Sequence, residues 1–245
     1  MPLLALAFFA TALLYASVGF GGGSTYSALL ALADYNYQLL PILSLACNVL
    51  VVSGSTFRFA RAGTMPWKRA LTVSLVAAPL AFLGGLTPIK QETFLVLLGL
   101  SLVGAGLALF LPRAPERAGR PTPLARFMPV AAAPLGYLAG LVGIGGGIFL
   151  APLLHLTRWD ATRRIAATTS LFILINSLAG IVGQLAKNGT DRFALALAGG
   201  LPLLIAVVIG GQLGSLLALR LLPERVIRWL TAALTIWAGS RLLLG

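Results

Sequence analysis

The feature of this chain that most constrains its fold is a pair of glycine clusters, each of which interrupts a strongly apolar stretch. The clusters read GFGGGST from Gly19 to Thr25 and GIGGGIF from Gly143 to Phe149, and they begin 124 positions apart in a chain of 245 residues. Glycine permits unusual backbone dihedral angles and lets a ligand approach the main chain closely. Two broken apolar segments at a fixed spacing predict an internally duplicated unit of the kind found in secondary transporters.

The composition indicates an integral membrane protein. The chain is 58% hydrophobic and 10% charged, and several apolar runs reach the roughly 20 residues needed to cross a bilayer. No stretch has the polarity of a separate soluble domain, so we predict one transmembrane domain over residues 1–245. The net charge of +12 does not indicate nucleic-acid binding, because the 18 basic residues lie mostly in short loops, where cationic charge orients membrane helices.

The apolar segments recur in the same order on both sides of one hydrophilic linker. The first half contains a broken segment and three helices, at 2–33, 38–57, 70–87 and 93–111. The proline- and arginine-rich linker covers 112–126. The second half repeats the pattern at about 127–156, 161–186, 193–219 and 225–244. We therefore predict an all-α integral membrane protein with two repeats, about 1–111 and 127–245.

Basic side chains in the connections predict how these segments lie in the membrane. They form four groups with net charges of +4, +3, +2 and +2, over residues 58–69, 113–126, 158–164 and 220–228. If both broken segments crossed the membrane, the last two groups would lie outside, against the positive-inside tendency. If each broken segment instead forms a re-entrant helical hairpin, all four groups and the linker are cytoplasmic. Each repeat then adds three transmembrane helices to its hairpin, and the two repeats are inverted.

A re-entrant hairpin points the N-terminus of its second half-helix into the membrane. We predict that these half-helices begin at Ser24 and Ile148, with Ser24 and Thr25 as capping hydroxyls. Free backbone N–H groups and the positive end of the helix dipole favour a small anion there. The alternative is that the glycines only permit close helix packing. The predicted substrate-binding residues in the two motifs are Gly19, Gly21, Gly22, Gly23, Ser24, Thr25, Gly143, Gly145, Gly146, Gly147 and Ile148.

Two asparagines lie inside apolar helices at similar distances beyond the clusters. Asn48 follows the first cluster's last glycine by 25 residues, and Asn176 follows the second's by 29. The difference of four is about one helical turn, so we predict that both occupy the same face of equivalent helices and donate amide hydrogens to an anion. Ser44 lies one turn before Asn48, and Thr168 and Thr169 are further candidates. Interhelical hydrogen bonding explains the same polar residues without a ligand.

The sequence carries no pattern for enzymatic chemistry. We find no P-loop, no Ser–His–Asp arrangement and no metal-ligand cluster, so we expect no enzyme activity, no cofactor and no metal ion. The acidic residues all fall in loops or at helix ends, which leaves no mid-membrane carboxylate to carry a proton or bind Na⁺. His155 is open to a proton-relay role or a structural one, and Cys47 is expected to be buried and inert.

The chain resembles the TauE/SafE family of sulfite and organosulfonate exporters in VGFGGGSTYSALLAL after the first helix and LVGIGGGIFLAPLL after the fifth. The two-half layout with a short hydrophilic linker also fits, and the resemblance covers almost the whole chain. It implies export of sulfite, sulfoacetate or a related C2 sulfonate across a bacterial inner membrane, with the glycine motifs at the substrate site. The first motif continues as Ser24-Thr25-Tyr26 where the second has Ile148-Phe149-Leu150, so the two halves need not contact the substrate equally.

The expected partners are a small anionic substrate and the lipid bilayer, with no nucleic acid. The exact substrate, the direction, the coupling ion and the number of subunits stay open, a homodimer included. The alternatives are transport of another inorganic oxyanion or of a cation, and a non-transporting membrane scaffold or assembly factor. A transporter demands a solvent-reachable cavity at the glycine tips, whereas a scaffold predicts none.

Overall fold

A computed structural model describes residues 2–18, 21–111, 121–217 and 224–244. Within these ranges the chain forms helices joined by turns, and no strand occurs. The helices of the first half are α1 (Pro2–Val18), α2 (Gly23–Leu32), α3 (Leu40–Arg61), α4 (Trp67–Leu86) and α5 (Gln91–Ala108). A 3-10 helix over Pro123–Phe127 precedes those of the second half, α6 (Met128–Val142), α7 (Gly147–Leu156), α8 (Thr162–Gly199), α9 (Leu201–Leu217) and α10 (Glu224–Leu244).

The boundary between α8 and α9 differs from the prediction. The sequence predicts a helix that ends near residue 186 and another that begins near 193, whereas α8 runs to Gly199 and α9 begins at Leu201. The break lies inside α8 at Gly189, where φ is 76° and ψ is 170°. Only glycine adopts such a conformation readily, so the polar stretch around it forms a sharp bend between two helical pieces.

Five helices are long and apolar enough to cross a membrane, namely Leu40–Arg61, Trp67–Leu86, Gln91–Ala108, Pro123–Val142 and Thr162–Gly199. Shorter apolar helices occur at Pro2–Ala16, Gly147–Leu156 and Leu201–Gly214. Large apolar side chains such as Leu75, Leu100, Leu107 and Val130 are more than half exposed, which is typical of a lipid-facing surface. These features confirm the predicted all-helical, multi-pass membrane protein. The helices α3 and α8 are the most buried of the five and form the centre of the bundle.

The helices α1 and α9 pack side by side in parallel. Gly210 of α9 lies against the carbonyl of Phe9, and one turn further along Gly214 lies against the carbonyl of Leu13. Any side chain at either glycine would meet main-chain atoms of α1. Small residues at these positions therefore set the close approach of the two helices.

The helices α4 and α6 form a second parallel pair of the same kind. Gly136 and Gly140 of α6 lie against the carbonyls of Ala77 and Ala81 in α4. Since both residue numbers increase together along the contact, the two helices run in the same direction.

The two parallel pairs are built on similar contacts between a glycine and a main-chain carbonyl. Gly84 of α4 lies against the Tyr137 carbonyl of α6, just as Gly214 of α9 lies against the Leu13 carbonyl of α1. Leu13 and Tyr137 are 124 positions apart, which is the spacing of the glycine clusters. The shared spacing is the one that an internal duplication predicts.

Two other pairs also join one helix of the first half to one helix of the second. In the pair α5–α10, Gly99 lies beside Gly239 and Gly106 lies beside Ala232, so these helices are antiparallel. The helices α3 and α8 pack together in the centre of the bundle.

Three of the four basic connections meet at one end of the molecule, which we call the basic end. Arg69 at the start of α4 donates to Asp160 Oδ2 at 3.2 Å and to the Trp159 carbonyl at 2.8 Å. Its guanidinium also lies 3.9 Å from the centre of the Trp159 ring. Thr122, before α6, donates its backbone N–H to the Thr157 carbonyl at 3.0 Å, which brings the end of the linker to the same place.

The connections that carry little net charge meet at the opposite end, which we call the far end. Arg192 Nη1 donates to Gln38 Oε1 at 2.9 Å, and Lys187 Nζ lies 3.4 Å from the Thr87 carbonyl. The turn after α2, the turn after α4 and the bend of α8 are therefore neighbours.

Candidate functional site

The two helices that flank each glycine cluster lie beside each other, and between α1 and α2 the Phe8 and Tyr26 rings stack with their centroids 4.9 Å apart. The hydrogen bond between Thr122 and Thr157 holds the two ends of the α6–α7 hairpin side by side, so its glycine tip lies at the other end of both helices. Gly143, Gly145 and Gly146 have φ values of 80°, 81° and 72°, a conformation that side chains resist. In the first cluster α1 gives way to α2, while Gly19 lies outside the described residues.

The second helix of each hairpin begins one residue earlier than predicted. The first residues of α2 and α7 are Gly23 and Gly147, and the N-cap positions are Gly22 and Gly146. Both caps are left-handed and make no side-chain capping hydrogen bond. The left-handed cap explains the difference, because it selects glycine over a capping serine. The first backbone N–H groups of each helix are directed at the tip without a side-chain acceptor.

The other predicted motif residues lie in the first turns of these helices. Ser24, Thr25 and Ile148 are buried. The Thr25 hydroxyl lies 2.8 Å from the Tyr15 hydroxyl of α1, so it joins the two arms of the first hairpin and does not cap α2.

The two tips meet each other in the middle of the bundle. A Cβ atom added at Gly23 would lie 2.5 Å from the carbonyl oxygen of Ile144 in the other hairpin. Ser44 of α3 lies between the tips, with its Oγ 3.0 Å from the Gly23 carbonyl and 2.9 Å from the Gly143 carbonyl. Ser27 donates to Ser44 Oγ at 2.9 Å, which leaves the Ser44 proton for one of these carbonyls.

The amide of Asn48, one turn beyond Ser44 on α3, touches both tips. A Cβ atom at Gly21 would lie 2.5 Å from its Oδ1, and one at Gly145 would lie 2.6 Å from its Nδ2. Asn48 is fully buried, and neither polar atom of its side chain has a hydrogen-bond partner among the described residues. Leaving a buried polar group unpaired costs about 1–3 kcal/mol, so this amide is suited to a ligand.

The residue of α8 that contacts the tip glycines in the way Asn48 of α3 does is Ile173. Its side chain lies beside Gly21, Gly145 and Gly147, so Ile173 touches both tips as Asn48 does. Asn176, which the sequence predicts as the equivalent of Asn48, lies three residues further along α8. It is buried and donates its Nδ2 to the Phe172 carbonyl at 2.8 Å.

The two predicted threonines of α8 are fully buried. Thr169 lies beside the second tip, with its Cγ2 2.9 Å from a Cβ added at Gly147. It occupies the place that Ser44 has beside the first tip. The hydroxyls of Thr168, Thr169 and Ser177 have no partner within the described part of the chain.

Two residues at the tips, Ser27 and Ile173, were not among the predicted site residues. Neither carries a distinguishing signal, since a serine within a small-residue motif and an isoleucine within an apolar helix are both ordinary. Cys47 is fully buried, as predicted. His155 is buried near the end of α7, toward the basic end and away from the tips.

Comparison with known proteins identifies the family. The model of the family described as "Sulfite exporter TauE/SafE" matches residues 3–242. This chain belongs to the TauE/SafE sulfite exporter family. The resemblance seen in the glycine motifs is confirmed, and the protein is a membrane transporter of the TauE/SafE type.

Two curated relatives are similar to this chain over most of their length. The chain is 32% identical over 254 residues to the "Probable membrane transporter protein y4hK" of Sinorhizobium fredii, covering 98% of this chain and 97% of the relative. It is 22% identical over 202 residues to the "Probable membrane transporter protein MJ0441" of Methanocaldococcus jannaschii, covering 77% and 73%. No solved structure matches the chain.

In this TauE/SafE-type transporter the described glycines of both tips have little exposure to solvent. Gly21, Gly145 and Asn48 are buried. Cavities of about 250 Å³ and 460 Å³ lie at the far end and the basic end, and the tip glycines line neither of them. The far-end cavity reaches Pro41, whose Cα lies 2.8 Å from a Cβ added at Gly143, so this cavity ends against the second tip.

Proposed function

We propose that this TauE/SafE-type transporter exports a small sulfur-containing anion, such as sulfite, sulfoacetate or a related C2 sulfonate, by alternating access at a site between the glycine tips. The observation that carries the proposal is the buried, unpartnered amide of Asn48 in contact with both tips. The starts of α2 and α7 supply uncapped N–H groups and positive dipole ends at the same point, which favour a small anion.

Ile173 supports a substrate that carries carbon atoms. The amide of Asn48 and the isoleucine side chain reach the same tip glycines, so the site has a polar side and an apolar side. A sulfonate group suits the polar side and a short carbon chain suits the apolar side. Sulfate has an oxygen atom on every side, so once it has shed its water it would leave an oxygen against Ile173 without a hydrogen bond, and such mismatches reduce affinity.

The topology we propose consists of two inverted repeats, about 1–111 and 127–245, in the inner membrane of a bacterium. Each repeat comprises a re-entrant hairpin and three transmembrane helices, and residues 112–126 form a cytoplasmic linker. The basic end is then cytoplasmic, in line with the positive-inside rule. Parallel α1–α9 and α4–α6 pairs and an antiparallel α5–α10 pair are the directions that this topology requires.

Cysteine labelling tests the topology. In a Cys47→Ala background, we expect Arg61→Cys and Arg163→Cys to react with a membrane-impermeant maleimide only in inside-out vesicles, because both belong to basic connections. Arg192→Cys at the far end should react only in right-side-out vesicles. The Cys47→Ala parent serves as the unlabelled control. Labelling of residues 61 and 163 from opposite sides would contradict the inverted repeats.

Flux in proteoliposomes tests the function. We expect saturable movement of labelled sulfite and sulfoacetate, and clearly slower movement of sulfate, compared with liposomes that lack the protein. The preference for sulfoacetate over sulfate follows from the apolar Ile173 beside the Asn48 amide, whereas sulfite is expected to move because it is the substrate that the family description names. Sulfate flux that exceeds sulfoacetate flux would favour an inorganic-oxyanion transporter, and the absence of flux for all three anions would favour a scaffold.

A further inference from the structure

The far-end cavity contains a second set of groups suited to an anion. Lys187 and Arg192 both line it, together with the amides of Gln38 and Asn188, and its lining includes no carboxylate. Within the described ranges, neither cation forms an ion pair with an acidic side chain. Lys187 and Arg192 each use one donor on a neighbouring oxygen, Thr87 O and Gln38 Oε1, which leaves further N–H donors on both residues.

The bend of α8 brings the two cations to the same cavity. In an unbroken helix, residues five positions apart lie about 140° apart around the axis, so Lys187 and Arg192 would point in different directions. Gly189, between them, has the extended left-handed conformation with φ of 76°. A Cβ added at Gly189 meets nothing within 4 Å, so a side chain would fit in the space at this position. Glycine is required there only by the backbone conformation.

The cavity leads toward the glycine tips. Its lining includes Pro41 and Leu141; Pro41 lies against Gly143, and the Gly143 carbonyl in turn lies 2.9 Å from Ser44 Oγ. The volume of about 250 Å³ compares with roughly 30 Å³ per molecule in liquid water. A small oxyanion with several waters fits in it directly outside the second tip.

We propose that Lys187 and Arg192 form a second anion site at the far end, which binds the carboxylate or sulfonate group of a small dianion next to the second tip. Its place on the export path rests on the proposed function, whereas binding at the cavity does not. Two cations match two negative charges, so a dianion such as sulfoacetate is preferred over acetate. The anionic headgroup of a lipid offers the same chemistry and is the competing occupant.

Calorimetry separates this site from the tips. The protein is placed in nanodiscs of phosphatidylcholine, with Asn48→Ala introduced to weaken the tip site, and titrated with sulfoacetate. We expect binding that persists in Asn48→Ala and falls at least tenfold when Lys187→Gln and Arg192→Gln are added. The matched control is Lys90→Gln, which removes an exposed cation from the neighbouring turn outside the cavity lining and should leave binding unchanged.

The outcomes distinguish the second site from the transport function. Wild-type protein without flux but with sulfoacetate binding that depends on Lys187 and Arg192 would refute the exporter and retain the site. Equal binding by the double variant and by Lys90→Gln would overturn the site. Loss of sulfoacetate binding when phosphatidylglycerol replaces part of the phosphatidylcholine would identify a headgroup as the occupant and overturn the place on the export path.

Discussion

Replacing Gly22 or Gly146 with leucine is expected to abolish anion flux while the protein still inserts into the membrane. Both glycines are left-handed caps, with φ of 78° and 72°, and a side chain there costs about 1–2 kcal/mol. A Cβ at Gly22 would lie 3.1 Å from the Tyr26 ring, and one at Gly146 would lie 3.0 Å from the Phe172 ring. The longer leucine side chain would disturb the N–H groups proposed to bind the anion. Proteoliposome flux and yield in the membrane fraction measure the two effects.

The matched control for the cap variants is Gly104→Leu in α5. Gly104 is exposed on the outside of the bundle, and a Cβ there approaches only Phe149, at 3.9 Å. This variant makes the same chemical change and should retain flux. Normal flux in both Gly22→Leu and Gly146→Leu would exclude the tips from the transport path.

Asn48→Ala is expected to weaken sulfoacetate binding by about 1–3 kcal/mol, the scale of a hydrogen bond to a charged group, or roughly 5- to 150-fold in Kd. Asn176→Ala should weaken binding less, since the Asn176 Nδ2 is already committed to the Phe172 carbonyl. Calorimetry with sulfoacetate at high salt, which suppresses binding at exposed cations, measures both.

Thermal stability distinguishes a binding role of Asn48 from a structural one. Its amide has no hydrogen-bond partner within the described chain, so Asn48→Ala loses only packing contacts and should lower the unfolding temperature of the free protein less than Asn176→Ala does. Asn176→Ala removes a buried hydrogen bond and should lower that temperature. Unchanged sulfoacetate affinity in Asn48→Ala, or equal binding of acetate and sulfoacetate, would exclude the amide from the site.

Most of the helices could be predicted because the length of each apolar run and the residues that end it indicate the same boundaries. Apolar runs of membrane-crossing length end at prolines, glycines and basic residues in α3, α4 and α5, and the observed ends lie within a few residues of the predicted ones. The region after Ala186 departs from this rule. Its polar residues predict a loop, yet only Gly189 leaves helical geometry, because polar residues at a membrane surface remain free to continue a helix.

The candidate site could be predicted only in part. An error of a few residues hardly changes where a helix lies in the sequence, but it changes which side chain of that helix faces the site. Asn48 stands out as an amide in an apolar helix, and it does reach the glycines. Each residue of a helix turns by about 100°, so a spacing uncertain by three residues does not determine which side chain of α8 faces the tips. That register is set by packing, with Gly180 of α8 against α6 and α3 and Gly183 against α4, and Ile173 faces the glycines as a result.

The tips contact a polar side chain from the first half, Asn48, and an apolar side chain from the second half, Ile173, and this difference is possible because both halves belong to one polypeptide. An assembly of two identical half-length chains would place the same residue at both positions, either two amides or two isoleucines. A single chain removes that restriction, since each half can be substituted independently. In the alternating-access cycle proposed above, the inward-open and outward-open forms would then be unequal in free energy even without a substrate, and residues 48 and 173 are the positions at which that bias toward one side of the membrane could be changed.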